Sequence, residues 1–187
     1  MSDVATLLER CRAGDELAWE MLVRRYQSRV YAVAYHYTRN VEDARDLAQE
    51  IFVRIYRRLD SFHGEQRFLP WLLRVARNAC IDRLRRLQAR PAGSSATLDE
   101  TPELRATGPT PEQTSATEAH KRLLYRALNR MSVKNREIIL LKEIQGLKFE
   151  EISEMLGVPV GTVKSRSNRA RLELATQVRA LDSSYGG

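Results

Sequence analysis

Three clusters of side chains have types and spacings suited to binding. Nearest the C-terminus, Thr162, Lys164, Ser165, Arg166, Asn168, Arg169 and Arg171 crowd hydroxyl, amide and cationic groups into a short stretch. Upstream, Arg74, Asn78, Ile81 and Arg85 recur at three- and four-residue spacing, so a helix would carry them on one side, with Asp82 beside them. Arginine and lysine neutralise phosphates, and paired donors on Arg or Asn match base edges. A third set, Asp46, Gln49, Glu50 and Val53, sets acids around one surface valine and suits a basic partner helix. This is recognition chemistry rather than covalent catalysis. His36, His63 and His120 are scattered, and no Gly-rich phosphate loop or acid pair in a recognisable motif accompanies them. Cys11 and Cys80 are far apart without metal-ligand spacing, so no metal or cofactor is expected and both read as reduced thiols in a cytoplasm.

The 187-residue composition, 43% hydrophobic and 29% charged with net charge +7, is that of a folded protein with a polyanionic partner. No apolar run reaches about 18 residues, which excludes a membrane-spanning helix, and the early acids exclude a signal peptide. Residues 1–90 hold 17 Lys and Arg against 12 Asp and Glu, and residues 118–187 hold 13 against 8. Between them, residues 91–117 hold one base, four acids and four of the six prolines. Such a stretch cannot bury enough apolar surface to order itself and reads as a flexible linker. A coil of 27 residues spans about 30 Å on average.

The positioning elements follow from periodicity. A short helix near residues 4–13 ends at Gly14, and Asp15 caps a second helix over residues 16–37. That helix carries an apolar stripe of Trp19, Leu22, Val23, Tyr26, Val30, Val33 and Ala34. Asn40 caps a third helix over residues 41–59, whose core side is Val41, Ala44, Ala48, Ile51, Phe52, Ile55 and Leu59. Residues 61–66 read as a loop, and Pro70 opens a basic helix buried through Leu72, Val75, Ala76 and Ala79. Trp71, beside Phe68 and Leu72, reads as a core residue.

In the last third, helices are expected over residues 117–131 and 133–145, with Leu124, Leu128, Ile138, Ile139, Leu141 and Ile144 closing a small core. Residues 148–174 then read as a helix-turn-helix. Phe149, Ile152 and Leu156 face inward, Gly157 supplies the left-handed turn residue, and Pro159 precedes the second helix. On that second helix Val163, Ala170, Leu174 and Leu181 share a buried side. Ser165, Asn168, Arg169 and Leu172 face away, flanked by Thr162 and Lys164. Arg166 and Arg171 lie nearer the domain, within reach of phosphates. The fold expected is all-α: two small helical domains, residues 1–90 and 118–187, on a flexible linker, the second a four-helix helix-turn-helix domain.

In family order, AWEMLVRRYQ, DARDLAQEIFVRIYRRLDSFHG, FLPWLLRVARNACIDRLRR and REIILLKEIQGLKFEEISEMLGVPVGTVKSRSNRAR resemble the extracytoplasmic-function sigma factors, over nearly the whole chain. The resemblance implies a non-enzymatic promoter-specificity subunit of core RNA polymerase. Its partners would be the β′ clamp helices, the β flap, promoter DNA and an anti-sigma factor. It assigns polymerase docking to Asp46, Gln49, Glu50 and Val53. It assigns −10 recognition and melting to Ser61, Phe62, His63, Arg74, Asn78, Asp82 and Arg85. The −35 element falls to Thr162, Lys164, Ser165, Arg166, Asn168, Arg169 and Arg171. The chain departs from the family pattern at Asn168, at Met131-Ser132 and at Pro70. The competing reading is a dimeric helix-turn-helix regulator, which would need a dimerisation surface and a sensor domain.

Overall fold

The computed structural model describes residues 3–63, 67–89 and 111–182. Helices and turns make up all of its regular structure, with no strand among the described residues. The chain divides into two compact units, residues 1–98 and 99–187.

The N-terminal unit contains α1 (Asp3–Arg12), α2 (Glu16–Thr38), α3 (Val41–Arg58) and α4 (Phe68–Gln88), with a 3-10 turn at Leu59–Ser61. Helices α2 and α3 start where side chains can satisfy their first N–H groups. Asp15 accepts from the Ala18 N–H at 3.1 Å, and Asn40 accepts from the Asp43 N–H at 3.0 Å. Gly14, at φ +82°, makes the corner between α1 and α2. Helices α3 and α4 both pack on α2 and on each other. Their common core includes Leu22, Leu47, Ile51, Ile55, Leu72 and Leu73, all at most 1% exposed. Burying each such side chain contributes about 1.5–3 kcal/mol.

The C-terminal unit contains α5 (Pro111–Arg130), α6 (Val133–Ile139), a π turn (Leu140–Ile144), α7 (Phe149–Leu156) and α8 (Val160–Asp182). Helix α8 packs against α5, α6 and α7. Ile138, Leu147, Ile152, Val163, Ala170 and Leu181 form a core no more than 1% exposed.

Four expectations change. Helix α5 begins at Pro111, six residues before the expected start, so residues 111–117 are helix and not linker. Proline suits a first helical position because its missing N–H has no helical partner to lose. The rest of the expected linker, residues 91–110, lies outside the described residues. Leu124 is 41% exposed, whereas Ala127 and Leu128, nearer the end of α5, are buried, as is Met131 just past it. Ile144 is 48% exposed as well. The Gln145 N–H donates to the Leu140 carbonyl at 2.9 Å, a five-residue step that turns Ile144 off the face α-helical spacing assigns it. Leu147, beyond Gly146 at φ +73°, is buried instead. The fourth is Leu47, omitted from the expected core of α3 and 1% exposed.

Candidate docking face and nucleic-acid interface

Helix α3 turns Asp46, Gln49, Glu50 and Val53 to solvent, while Ala44, Leu47, Ile51 and Ile55 face α2 and α4. Val53, 50% exposed, does not stand alone. It borders a cleft of about 290 Å³ lined also by Cys11, Asp15, Trp19, Phe52 and Tyr56. Trp19 meets Tyr56 edge-on at 5.0 Å between ring centroids and Phe52 at 6.3 Å. Periodicity had placed Trp19 and Phe52 only as core residues. That they also line an open cleft depends on the corner at Gly14, which residue spacing does not convey.

Two acids of α3, Asp43 and Glu50, are engaged from the neighbouring helix. Arg83 on α4 donates to Asp43 at 2.8 Å and approaches Glu50 at 3.5 Å. In return, Arg54 on α3 donates to Asp82 at 3.1 Å. Sequence reasoning missed Arg83, because its partners lie 33 and 40 positions away.

The second cluster is only partly brought together. Arg74 is half-buried on α4, and Asn78, Asp82 and Arg85 are exposed along the same side. Ser61 is exposed, with its hydroxyl donating to the Arg58 carbonyl at 2.7 Å, and His63 is exposed beyond it. Gly64, Glu65 and Gln66, also in the expected loop, lie outside the described residues. Phe62 departs from its expected place on the DNA-facing surface: it is 4% exposed. Its ring centroid lies 5.3 Å from those of both Phe68 and Trp71. Such aromatic contacts add to the hydrophobic gain of burial, so the ring serves the fold in this conformation. Arg12, also missed from sequence, ties α1 to this turn. Its guanidinium donates to the carbonyls of Leu59 and Phe62 and lies 5.9 Å from the Phe62 ring centroid.

Both cysteines are buried thiols. Burial pushes Cys80 up to about 12 despite nearby arginines, and burial together with Asp15 raises Cys11. Neither is activated as a thiolate at neutral pH. Among the described residues, no group of His, Cys, Asp and Glu is arranged to hold a metal ion, and no helix is long and apolar enough to cross a membrane.

In the C-terminal unit the turn between α7 and α8 is locked by its own hydrogen bonds. Gly157 takes φ +66°, and its N–H and that of Val158 donate to the Ser153 carbonyl at 2.9 and 3.2 Å. The Ser153 hydroxyl donates to the Val158 carbonyl at 2.6 Å. Glu151 accepts from the Lys148 N–H at 2.7 Å and so caps the start of α7. The Pro159 carbonyl takes the N–H groups of Thr162 and Val163 at 2.9 and 3.1 Å, which starts α8.

On α8, Lys164, Ser165, Asn168 and Arg169 are exposed, and Thr162 and Arg166 are half-buried. Arg171 is exposed but engaged, donating to Glu143 through two nitrogens at 2.9 and 2.7 Å. Glu173, another residue missed from sequence, braces the helix from the other side. It accepts from the Ser132 N–H at 2.7 Å, the Ser132 hydroxyl at 3.2 Å and the Asn135 amide. Partial burial raises the Glu173 pKa, but the bonds from Asn135 and Ser132 outweigh it and hold the carboxyl below its ordinary value. The outcome is an outward row of polar and cationic side chains on a helix fixed at its start and middle. Such a helix fits a major groove.

Residues 22–90 match the family model Sigma-70 region 2, and residues 121–174 match Sigma-70, region 4. The ECF RNA polymerase sigma factor SigW of Bacillus subtilis is 35% identical over 180 residues, 93% of this chain and 96% of that protein. The ECF RNA polymerase sigma-E factor of Escherichia coli K12 is 34% identical, covering 94% of each. Among solved structures, CnrH in complex with the cytosolic domain of CnrY matches with a TM-score of 0.64 and 24% identity, over 94% of this chain and 96% of that one. RpoE from Bartonella quintana, solved with the anti-sigma factor NepR, gives 0.64 and 22%, over 86% and 96%. At these identities the two structures speak to the fold alone.

Proposed function

The chain belongs to the extracytoplasmic-function RNA polymerase sigma factors, and from that premise we propose how its residues divide the work. As a sigma subunit it binds core polymerase, recognises −10 and −35 promoter elements and initiates transcription of a stress or envelope regulon. Residues 1–90 carry polymerase docking and the −10 element, and residues 118–187 carry the −35 element.

Asp46, Gln49, Glu50 and Val53 on α3 form the docking face, opposed to the basic β′ clamp helices. The exposed side of α4, with Arg74, Asn78, Asp82 and Arg85, takes the −10 strand, joined by Ser61 and His63. Extruding a base from a duplex costs a few kcal/mol, which a basic groove helps offset. On α8, Lys164, Ser165, Asn168 and Arg169 read the −35 duplex, with Thr162 and Arg166 beside them. Arg171 reaches a phosphate only by leaving Glu143. The protein works in the cytoplasm without hydrolysing nucleotide. Its activity is restrained by an anti-sigma partner, a reading that membership of the family supports.

The observation that carries this division is the grouping of exposed, mainly polar side chains on separate helix faces. Asp46, Gln49, Glu50 and Val53 stand out together on α3, Asn78, Asp82 and Arg85 on α4, and Lys164, Ser165, Asn168 and Arg169 on α8. Reconstitution with core polymerase tests it. The purified chain is expected to bind core and direct specific initiation from a promoter of its own genome. Failure on both counts overturns the reading.

A further inference from the structure

We infer that Arg83 is a positioning residue for the polymerase-docking face, holding Glu50 in place before the partner arrives. The inference rests on the docking reading proposed for α3.

Asp43 and Glu50 are seven residues apart, two turns and about 10.5 Å along α3, so they lie on the same side of the helix. Arg83 comes from α4, a different helix, and divides its fork between them, Nη2 on Asp43 at 2.8 Å and Nη1 on Glu50 at 3.5 Å. Its side chain is 24% exposed, against 41% for Asp43 and 48% for Glu50. The cation therefore sits behind the acids and leaves their outer oxygens open. Arg54, one turn past Glu50, crosses in the opposite direction to Asp82, the neighbour of Arg83 in sequence. Three ion pairs, crossing in both directions, thus bridge α3 and α4 beside the docking face.

Ion pairs this exposed add little to stability. Their effect lies in order: a long glutamate side chain gives up rotamer freedom on binding, and less is lost when it is already held. The unequal distances suit that role. The short bond to Asp43 anchors Arg83, and the longer one to Glu50 can yield to a cation of the partner. Only a guanidinium presents two donors to two separate acids in a fixed plane; a lysine ammonium serves them poorly.

The test is a mutant cycle on the full chain, reading equilibrium affinity for core RNA polymerase and Tm. Arg83→Gln is expected to weaken core binding about 3- to 5-fold, the scale of one partly exposed charge interaction. Arg83→Lys, which keeps the charge and guards against failure to fold, should show most of that loss. In a Glu50→Gln background Arg83→Gln should cost no further affinity, while its effect on Tm stays the same. An equal affinity loss in both backgrounds makes Arg83 merely structural and overturns the inference. If Glu50→Gln weakens binding and neither Arg83 variant does, the docking reading stands and this inference falls. If Glu50→Gln leaves core affinity unchanged, the docking reading fails and the inference with it.

Discussion

The two units hold their outward faces by opposite means. In the N-terminal unit a single side chain of α4, Arg83, grips two acids of α3, Asp43 and Glu50. In the C-terminal unit it is the helix that is gripped. The Gly157 turn sets where α8 begins, and Glu173 ties its middle to Ser132 and Asn135 at the start of α6. Lys164, Ser165, Asn168 and Arg169 then project from a fixed axis into solvent. The difference suits the partners proposed. A rigid protein surface rewards side chains ordered in advance, because ordering them later costs affinity. A duplex needs the helix axis placed in the groove, while long cationic side chains adjust to phosphates and base edges.

The strongest way to break this contrast is at the turn. Gly157→Val forces a β-branched residue into φ +66° and should destabilise the C-terminal unit by about 1–3 kcal/mol, read by chemical denaturation. An unchanged midpoint would show that the turn does not set α8. Next in size is Arg169→Ala, expected to cost about 1–3 kcal/mol of −35 discrimination in duplex binding while leaving core affinity unchanged. Its mirror is Glu50→Lys, expected to weaken core binding by about 1 kcal/mol or somewhat more, with Tm and duplex binding close to those of the parent. If each variant damaged both activities, the division of labour between the units would fail.

The smallest effect sharpens the role of Glu173. Its pKa is lowered in the fold, so the stability it contributes is present above the ordinary carboxylate range and is lost as pH falls through its folded value. Glu173→Gln should remove that acid-side slope. Melting curves across the carboxylate range check it, and an identical slope in both proteins would leave Glu173 no part in bracing α8.

Much of this was legible along the chain. Asp15 and Asn40 accept the N–H groups their positions suggest, and Gly157 takes the left-handed conformation the turn requires. The exposed sides of α3 and α8 follow from helical spacing. Where spacing failed, it failed for length and local geometry. It assigned Leu124 to the right side of α5 but could not say how far along that helix the core extends. It assumed an unbroken α-helix through Ile144, where a π turn rotates the chain.

What the sequence determined by itself is therefore what three or four residues can decide: caps, turn glycines, helix faces and the motif order that marks the family. Tertiary structure alone decided the contacts between positions far apart. It closed Arg83 on Asp43 and Glu50, Glu173 on Ser132, and Arg12 on the turn that buries Phe62. The physical reason is one of range. A cap or a helix face depends on neighbours within one turn, whereas an ion pair across 40 residues exists only once packing has set two helices side by side.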